Sequence, residues 1–399
     1  MDMNRLPLEG ITVLDLSQIY NGPYATFMLA QAGAEIIKVE PLGGEHLRKR
    51  GVVGGAALPF AMLNGNKRAV TLNLKSVKGR ALLIAIAKRA DILVENFAPG
   101  VMERLNLGYE FLRTLNPRLI YGQSSGYGRS GPNRDYPAMD LTVQAMSGVM
   151  SITGFPDRPP VKAGPALCDF FAGVHLYGAI VTALYEREKT GEGRLVEVAM
   201  QDAVYASLSS SLGLFAGSGG TAMQRTGNRH GGLAESPYNV YPTQDGYIAI
   251  ICVGETHWKS LVTVMKREEL LTDPRFADLK TRVAHMDTVD DIVSAFTKTF
   301  DKQPLFELLM AHHVPCAPVR ELAEVVNDPH MHARGSLQYQ DHPELGRIVV
   351  QQSPLRFEGT PMRELKPSAK LGQHNADIFG GWLGLSEAEL SDLKKEGVI

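Results

Sequence analysis

The sequence predicts an α/β protein with a doubly wound parallel sheet, in two domains or in one large domain carrying an insertion. Three observations carry that expectation. Strand-like and helix-like patterns alternate through the N-terminal half, the order that gives parallel strands joined by helices. The 399 residues exceed a usual single domain. Composition changes sharply at GSGGTAMQRTGNRHGG (217–232), a glycine-rich polar stretch that reads as a domain junction or mobile loop.

The elements follow in order. ITVLDL (11–16) is a short β-rich run. Pro23 opens PYATFMLAQAG, where proline suits a first helical turn and Gly33 an exit. AEIIKVE (34–40) is a second strand, VKGRALLIAIAKRA (77–90) a helix, DILVEN (91–96) a third strand and RLIYG (118–122) a fourth. A helix runs on from Asp169 and stops in KTGEG, cation then glycine. RLVEVAM (194–200) is a strand and QDAVYASLSSSLGLF a helix, with the serines at 207–211 on a small-residue face. DGYIAII (245–251) starts the smaller domain, which extends to about 330 on this reading. LGRIVVQQSPLRFEG (345–359) returns to strands, and Ser386 with Glu389 has capping-box spacing.

Composition excludes several classes. With 44% hydrophobic and 21% charged residues and a net charge of −2, the chain reads as globular and not as a polybasic binder of nucleic acid or membrane surfaces. Cys168, Cys252 and Cys316 lie far apart without a CxxC, which suits a reducing cytoplasm better than a disulfide scaffold or zinc site. The start, MDMNRLPLEG, lacks a signal-peptide pattern. No uninterrupted apolar run approaches the roughly 20 residues of a bilayer span.

Ligands of parallel sheets bind beyond the C-terminal strand ends, here Ser17 to Gly22, Glu40 to Gly43, Glu95 to Pro99 and Ser124 to Gly131. GQSSG (122–126) matches a hydrolase nucleophile elbow, but YGRSGPNRDYP follows where a helix is needed. No GxGxxG follows the first strand, so a nicotinamide site has weak support. HH (312–313) and HMH (330–332) lack metal-ligand spacing. Lys38, Lys67, Arg68, Lys75 and Arg104 fall at strand ends or helix starts, where a group of cations suits phosphates and any single one suits a salt bridge. Asp169 stands before a helical run among Leu167, Phe170 and Phe171. Two readings stay open: a helix N-cap, or a desolvated nucleophile at a helix start whose free N–H groups also hold an oxyanion.

Long segments decide between them by resemblance. LEGITVLDLSQIYNGPYATFMLAQAGAEIIKVE (8–40), NGNKRAVTLNLKSVKGR (64–80), DILVENFAPGVMERLNLGYEFLRTLNPRLIYGQSSGYG (91–128) and PPVKAGPALCDFFAGVHLYGAIVTALYEREKTGEGRLVEVAMQDAV (159–204) resemble the class III CoA-transferases, the family of formyl-CoA and carnitine CoA-transferases (CaiB/BaiF type). HVPCAPVRELAEVVNDP (313–329) and LGQHNADIFGGWLGLS (371–386) extend the likeness.

The resemblance implies a catalytic Asp169 and a CoA site at Lys38, Leu72, Lys75, Asn96, Phe97 and Arg104. It places Tyr20 and Asn21 in the loop lining the thioester pocket, and Met139 and Asp140 opposite Asp169. A glutamine often stands at the Tyr20 position in formyl-CoA transferases, which points away from formyl-CoA and oxalate. In α-methylacyl-CoA racemases of the same family a histidine stands where this chain has Met139. A thioether takes no proton at neutral pH, so two-base α-proton exchange lacks one base. A racemase or epimerase, and a non-catalytic acyl-CoA-binding protein, are the alternatives.

The implied enzyme moves CoA from an acyl-CoA, succinyl-CoA first, to a carboxylic acid, with CoA as substrate and neither a tightly bound cofactor nor a metal. Arg48, Arg225, Asn228 and Arg229 are candidates for a second substrate carboxylate. The implied architecture is a large Rossmann-like domain built from 1–216 and 331–399, a small domain at 217–330, and an interlocked homodimer.

Overall fold

The computed structural model describes residues 5–49 and 57–399; Met1–Asn4, part of the start read for a signal segment, lie outside it. Two compact units are present. One comprises Met1–Val143, Pro165–Val204 and Asp328–Ile399, the other Gln144–Gly164 and Tyr205–Asn327. The second unit thus takes in 144–164 and 205–216, which lie outside the 217–330 span expected for the small domain.

In the first unit β1 (Thr12–Asp15) leads to α1 (Asn21–Gln31) and β2 (Glu35–Glu40). Then come β3 (Lys67–Thr71), α2 (Val77–Ala87), β4 (Ile92–Glu95) and β5 (Ile120–Ser125). After α3 (Asp140–Met146), α4 (Leu167–Thr190) and β6 (Leu195–Ala199) complete the sheet. The strands lie in the order β3-β2-β1-β4-β5-β6, every pair parallel. Strand β3 was not read from sequence. It opens with Lys67 and Arg68, which look like surface cations.

Alternation along the strands builds two cores. Leu14, Ile37, Val70 and Leu93 pack with Leu83 and Ile86 of α2. Val13, Ile36, Ile92 and Ile120 pack with Ala25 and Leu29 of α1 and with Leu176 and Ile180 of α4. Apolar side chains on both faces are what a sheet covered on both sides requires.

Helix α4 is long and apolar enough to cross a membrane by length and composition. The sequence test, which asked for an uninterrupted apolar run, passes over it. Here it is a core helix against β5 and β6. It also packs so closely on α1 that a Cβ at Gly173 would stand 2.6 Å from the Asn21 carbonyl oxygen.

The second unit holds an antiparallel sheet of β7 (Tyr238–Pro242), β8 (Tyr247–Ile251) and β9 (Cys316–Pro318). Helices α5 (Glu255–Met265), α6 (Met286–Thr297) and α7 (Lys302–Ala311) cover it, with Trp258, Leu261, Val293 and Leu309 in the core.

The C-terminal segment returns to the first unit. It forms the hairpin β10 (Leu337–His342) and β11 (Gly346–Gln351), a π-helical turn at Ala376–Trp382, and α8 (Glu387–Lys395). The Ser386–Glu389 capping box forms. This segment also seals the β3 edge. The Ala69 N–H donates to His374 Nδ1 at 3.1 Å and the Thr71 N–H to Asn375 Oδ1 at 2.9 Å, so two edge donors are not left for another strand. Burial holds His374 below its ordinary pKa, in keeping with a neutral ring that accepts.

Candidate active site

In this parallel sheet the strand order reverses between β1 and β4, and ligands bind in the crevice beyond that point. A cleft of about 580 Å³ lies there. Its walls come from the segments after β1 (Ser17, Gln18), β2 (Glu45), β3 (Leu72, Lys75) and β4 (Phe97, Arg104). The two segments at the reversal are stitched together. Asn96 Oδ1 accepts from the Gln18 N–H, and its Nδ2 donates to the Gln18 carbonyl, both at 2.8 Å.

Of the six residues assigned to CoA, Leu72, Lys75, Phe97 and Arg104 line this cleft. Asn96 lies behind it and holds Gln18. Lys38 does not line it. Lys38 is 1% exposed, its Nζ donates to the Ser17 carbonyl at 2.9 Å, and it faces Glu45 at 3.6 Å. Its ammonium is committed beneath the cleft, so it is a structural cation in this chain and not a phosphate ligand on the surface.

Lys67 and Arg68 are likewise committed. Lys67 is buried against Asp15 at 3.1 Å and Thr26 Oγ1 at 2.7 Å, and Arg68 pairs with Glu35. Sequence showed these charges but not their partners, which come from other strands. Among the five cations singled out, Lys75 and Arg104 remain at the cleft, both exposed.

The buried charges shape one another's ionisation. Burial pushes the Lys67 ammonium down to about 8, against the pull of Asp15. Burial alone would raise the Asp15 carboxyl, but Lys67, Lys38 and hydrogen bonds from Ser17 and Thr26 hold it below its ordinary value. Burial likewise works against the Lys38 charge, and Glu45, Asp15 and Glu40 overcome it and raise its pKa. Glu45 is pushed up, chiefly by burial. Glu95, at the end of β4, is 1% exposed. Its Oε2 accepts from the Phe97 N–H at 2.7 Å, and its Oε1 is buried without a hydrogen-bond partner. Burial drives its pKa up to about 8.

Asp169 lies in the first turn of α4 and is 8% exposed. It is not the cap. The cap position is Ala166, whose side chain makes no capping bond. Asp140 caps the helix from outside: its Oδ1 accepts from the Cys168 N–H at 2.9 Å and from the Asp169 N–H at 3.3 Å. Two helix N–H groups expected to hold an oxyanion are therefore spent on a second carboxylate. Asp140 was assigned to the face opposite Asp169, and its capping contact was not foreseen. A carboxylate capping a helix 29 residues away leaves no local pattern.

Tyr20 stacks on Phe170 with ring centroids 5.8 Å apart, and Tyr24 meets Phe170 edge-on at 5.0 Å. Phe170 thus forms an aromatic wall next to Asp169. Phe171 is 37% exposed and leaves that wall to Phe170. Met139 is 60% exposed beside the Asp140 cap. Asn21 is buried, with Nδ2 donating to Ser124 Oγ at 2.8 Å and Oδ1 buried without a partner. Ser124 in turn donates to the Val198 carbonyl at 3.1 Å and is wholly buried. The GQSSG serine therefore ties β5 to β6 and α1, and a loop follows it.

The arginines proposed for a substrate carboxylate have partners of their own. Arg48 binds both oxygens of Glu40 and the Ala369 carbonyl. In the second unit, Arg229 pairs with Asp287 and Asp290, and Arg225 donates to the Phe155 and Ser151 carbonyls.

Residues 8–375 match the model of CoA-transferase family III. The acetyl-CoA:oxalate CoA-transferase of Acetobacter aceti is 40% identical, covering 93% of this chain and 95% of its own. The formyl-CoA:oxalate CoA-transferase of Streptomyces avermitilis is 36% identical, covering 98% and 99%. The succinyl-CoA–D-citramalate CoA-transferase of Chloroflexus aurantiacus is 36% identical, covering 98% of each. Among solved structures, a CAIB/BAIF family protein from Brucella suis superposes with a TM-score of 0.82 at 32% identity, covering 97% of this chain and all of that one. With its parallel sheet, its cleft at the strand reversal and matches along nearly its whole length, the chain belongs to CoA-transferase family III.

Proposed function

We propose that this protein transfers CoA from an acyl-CoA to a carboxylic acid, with Asp169 as nucleophile. The observation that carries the reading is the setting of Asp169: a nearly buried carboxylate in the first turn of α4, held by Asp140 and walled by Phe170 and Tyr20. Desolvation makes a carboxylate a better nucleophile.

Asp169 attacks the thioester carbonyl, forming an acyl-aspartyl anhydride and releasing CoA thiolate. The thiolate attacks the aspartyl carbonyl, giving an aspartyl-CoA thioester and the donor acid. The acceptor carboxylate attacks that thioester, forming a second anhydride and freeing the thiolate again. The thiolate then takes the acyl group and regenerates Asp169. No electrons change hands, and one thioester is made for each one broken. The thiolate must remain close through three steps, which keeps them effectively intramolecular. Lys75 and Arg104 at the cleft suit the phosphates of CoA.

Dicarboxylic acids are the proposed substrate class, with succinyl-CoA as first donor. Relatives of this chain support it, being CoA-transferases of oxalate, citramalate, glutarate and mesaconate. A homodimer belongs to the same proposal, since Phe171, Val174 and Tyr185 leave α4 with apolar residues 37%, 48% and 65% exposed.

The test crosses succinyl-, acetyl- and formyl-CoA with a panel of dicarboxylic acids and reads the products by mass spectrometry. Asp169→Ala abolishes transfer while CoA still binds; substantial transfer by that variant overturns the reading. Hydroxylamine added after the acyl-CoA traps Asp169 as its hydroxamate.

A further inference from the structure

The segment between β1 and α1 joins the two halves of the site. Gln18 lines the cleft, and Tyr20 stacks on Phe170 beside Asp169. Between them Ile19 has φ of +67°, a left-handed backbone that a β-branched residue adopts only under constraint. Side chains from outside the segment supply that constraint. Lys38 donates to the Ser17 carbonyl, Asn96 takes both backbone groups of Gln18, and the Ile19 N–H donates to Glu45 Oε2 at 3.3 Å. Lys38 and Glu45 are themselves a pair, 1% and 3% exposed. A buried ion pair is a poor source of stability, because desolvation offsets its attraction. This one supplies two directed backbone hydrogen bonds, one at each end of Ser17–Ile19.

We propose that Lys38 and Glu45 are positioning residues that hold Ile19 in its left-handed turn and thereby set where Tyr20 stands against Phe170 and Asp169. The proposal deepens the reading of Asp169 as nucleophile and rests on it. Its chemical content is a conformational constraint, so relieving the backbone cost at residue 19 should relieve the need for Glu45. Glycine adopts positive φ without a Cβ penalty.

The experiment is a cycle of wild type, Glu45→Ala, Ile19→Gly and the double variant, with kcat measured for the acyl-CoA and acid pair that wild type turns over best. Glu45→Ala lowers kcat by at least ~10-fold in the wild-type background, in the range that small misplacements cost, and by less than ~3-fold in the Ile19→Gly background, where the constraint is not needed. Equal losses in both backgrounds overturn the proposal. Glu45→Gln keeps an acceptor oxygen and stays within ~3-fold of wild type, as a backbone hydrogen bond requires only an acceptor; a loss matching that of Glu45→Ala also overturns it. If Glu45→Ala does not fold, Glu45→Asp, which withdraws the acceptor by one methylene, takes its place in the cycle.

If wild type transfers no CoA with any pair, the functional reading fails, and the constraint is judged by crystallography of Glu45→Ala alone. Ile19 at negative φ with Tyr20 displaced supports it. Ile19 unchanged in its left-handed turn overturns it.

Discussion

Replacing Glu95 by glutamine should remove a pH dependence from folding. Glu95 is enclosed, one of its oxygens is buried without a hydrogen-bond partner, and the pull of the Arg129 charge is outweighed by burial. Burial raises its pKa from 4.5 to about 8, so at pH 7 the folded chain keeps a proton there that the unfolded chain has lost. Between about 4.5 and 8 the folded state therefore binds more protons, and stability falls as pH rises. The contribution is fully present below the unfolded pKa and gone above the folded one. Each unit of pH in that window costs ~1.4 kcal/mol, or ~3 kcal/mol between pH 5.5 and 7.5. Glutamine has the same shape and nothing to titrate. Urea unfolding of both proteins at pH 5.5, 6.5 and 7.5, followed by circular dichroism, measures the difference directly. Wild type should lose ~2–3 kcal/mol relative to Glu95→Gln across the series. A difference between the two proteins that stays constant with pH would refute the reasoning.

Three further outcomes follow from contacts already described. Asp140→Ala removes the cap of α4 and should cost ~1–2 kcal/mol in urea unfolding, together with a fall in kcat because Asp169 loses its backbone anchor; unchanged kcat would separate the cap from the site. Gly173→Ala forces a methyl group against the Asn21 carbonyl, backbone that cannot rotate away, and should cost ~1–3 kcal/mol, read as a lowered thermal midpoint. Arg104→Ala and Lys75→Ala should each raise KM for acyl-CoA by several-fold and leave kcat near wild type, since a phosphate contact remote from the thioester binds ground and transition states alike; steady-state kinetics with acyl-CoA varied decides it.

The strands of the sheet were legible because burial on both faces leaves short, mostly aliphatic runs, as in ITVLDL and DILVEN. Strand β3 was not, because Lys67 looks like a surface charge until Asp15 is seen beside it. The same blindness misassigned Lys38. A cation's role depends on whether a carboxylate reaches it, and Glu45 lies on a separate turn. Lys75 and Arg104, assigned to CoA through resemblance, line the cleft. That a helix begins near Asp169 was legible in the residue pattern, but its cap came from Asp140, a contact through space that no spacing announces. Ile19 shows the limit most plainly: nothing in SQIYNG marks isoleucine as the residue with positive φ.

The C-terminal seal on β3 has a consequence for biosynthesis. A ribosome delivers the six strands of the sheet within the first 199 residues and all of the second unit before residue 328. Ile378 and Phe379, which complete one core, and His374 and Asn375, which occupy the edge donors of β3, arrive last. Throughout that interval the nascent sheet has an open edge and an unfilled core face, the condition under which chains pair with their neighbours. A frameshift or premature stop just upstream of residue 374 would therefore yield a product with the sheet but not its seal, fixed in that vulnerable stage, one that chaperones and proteases would be left to recognise.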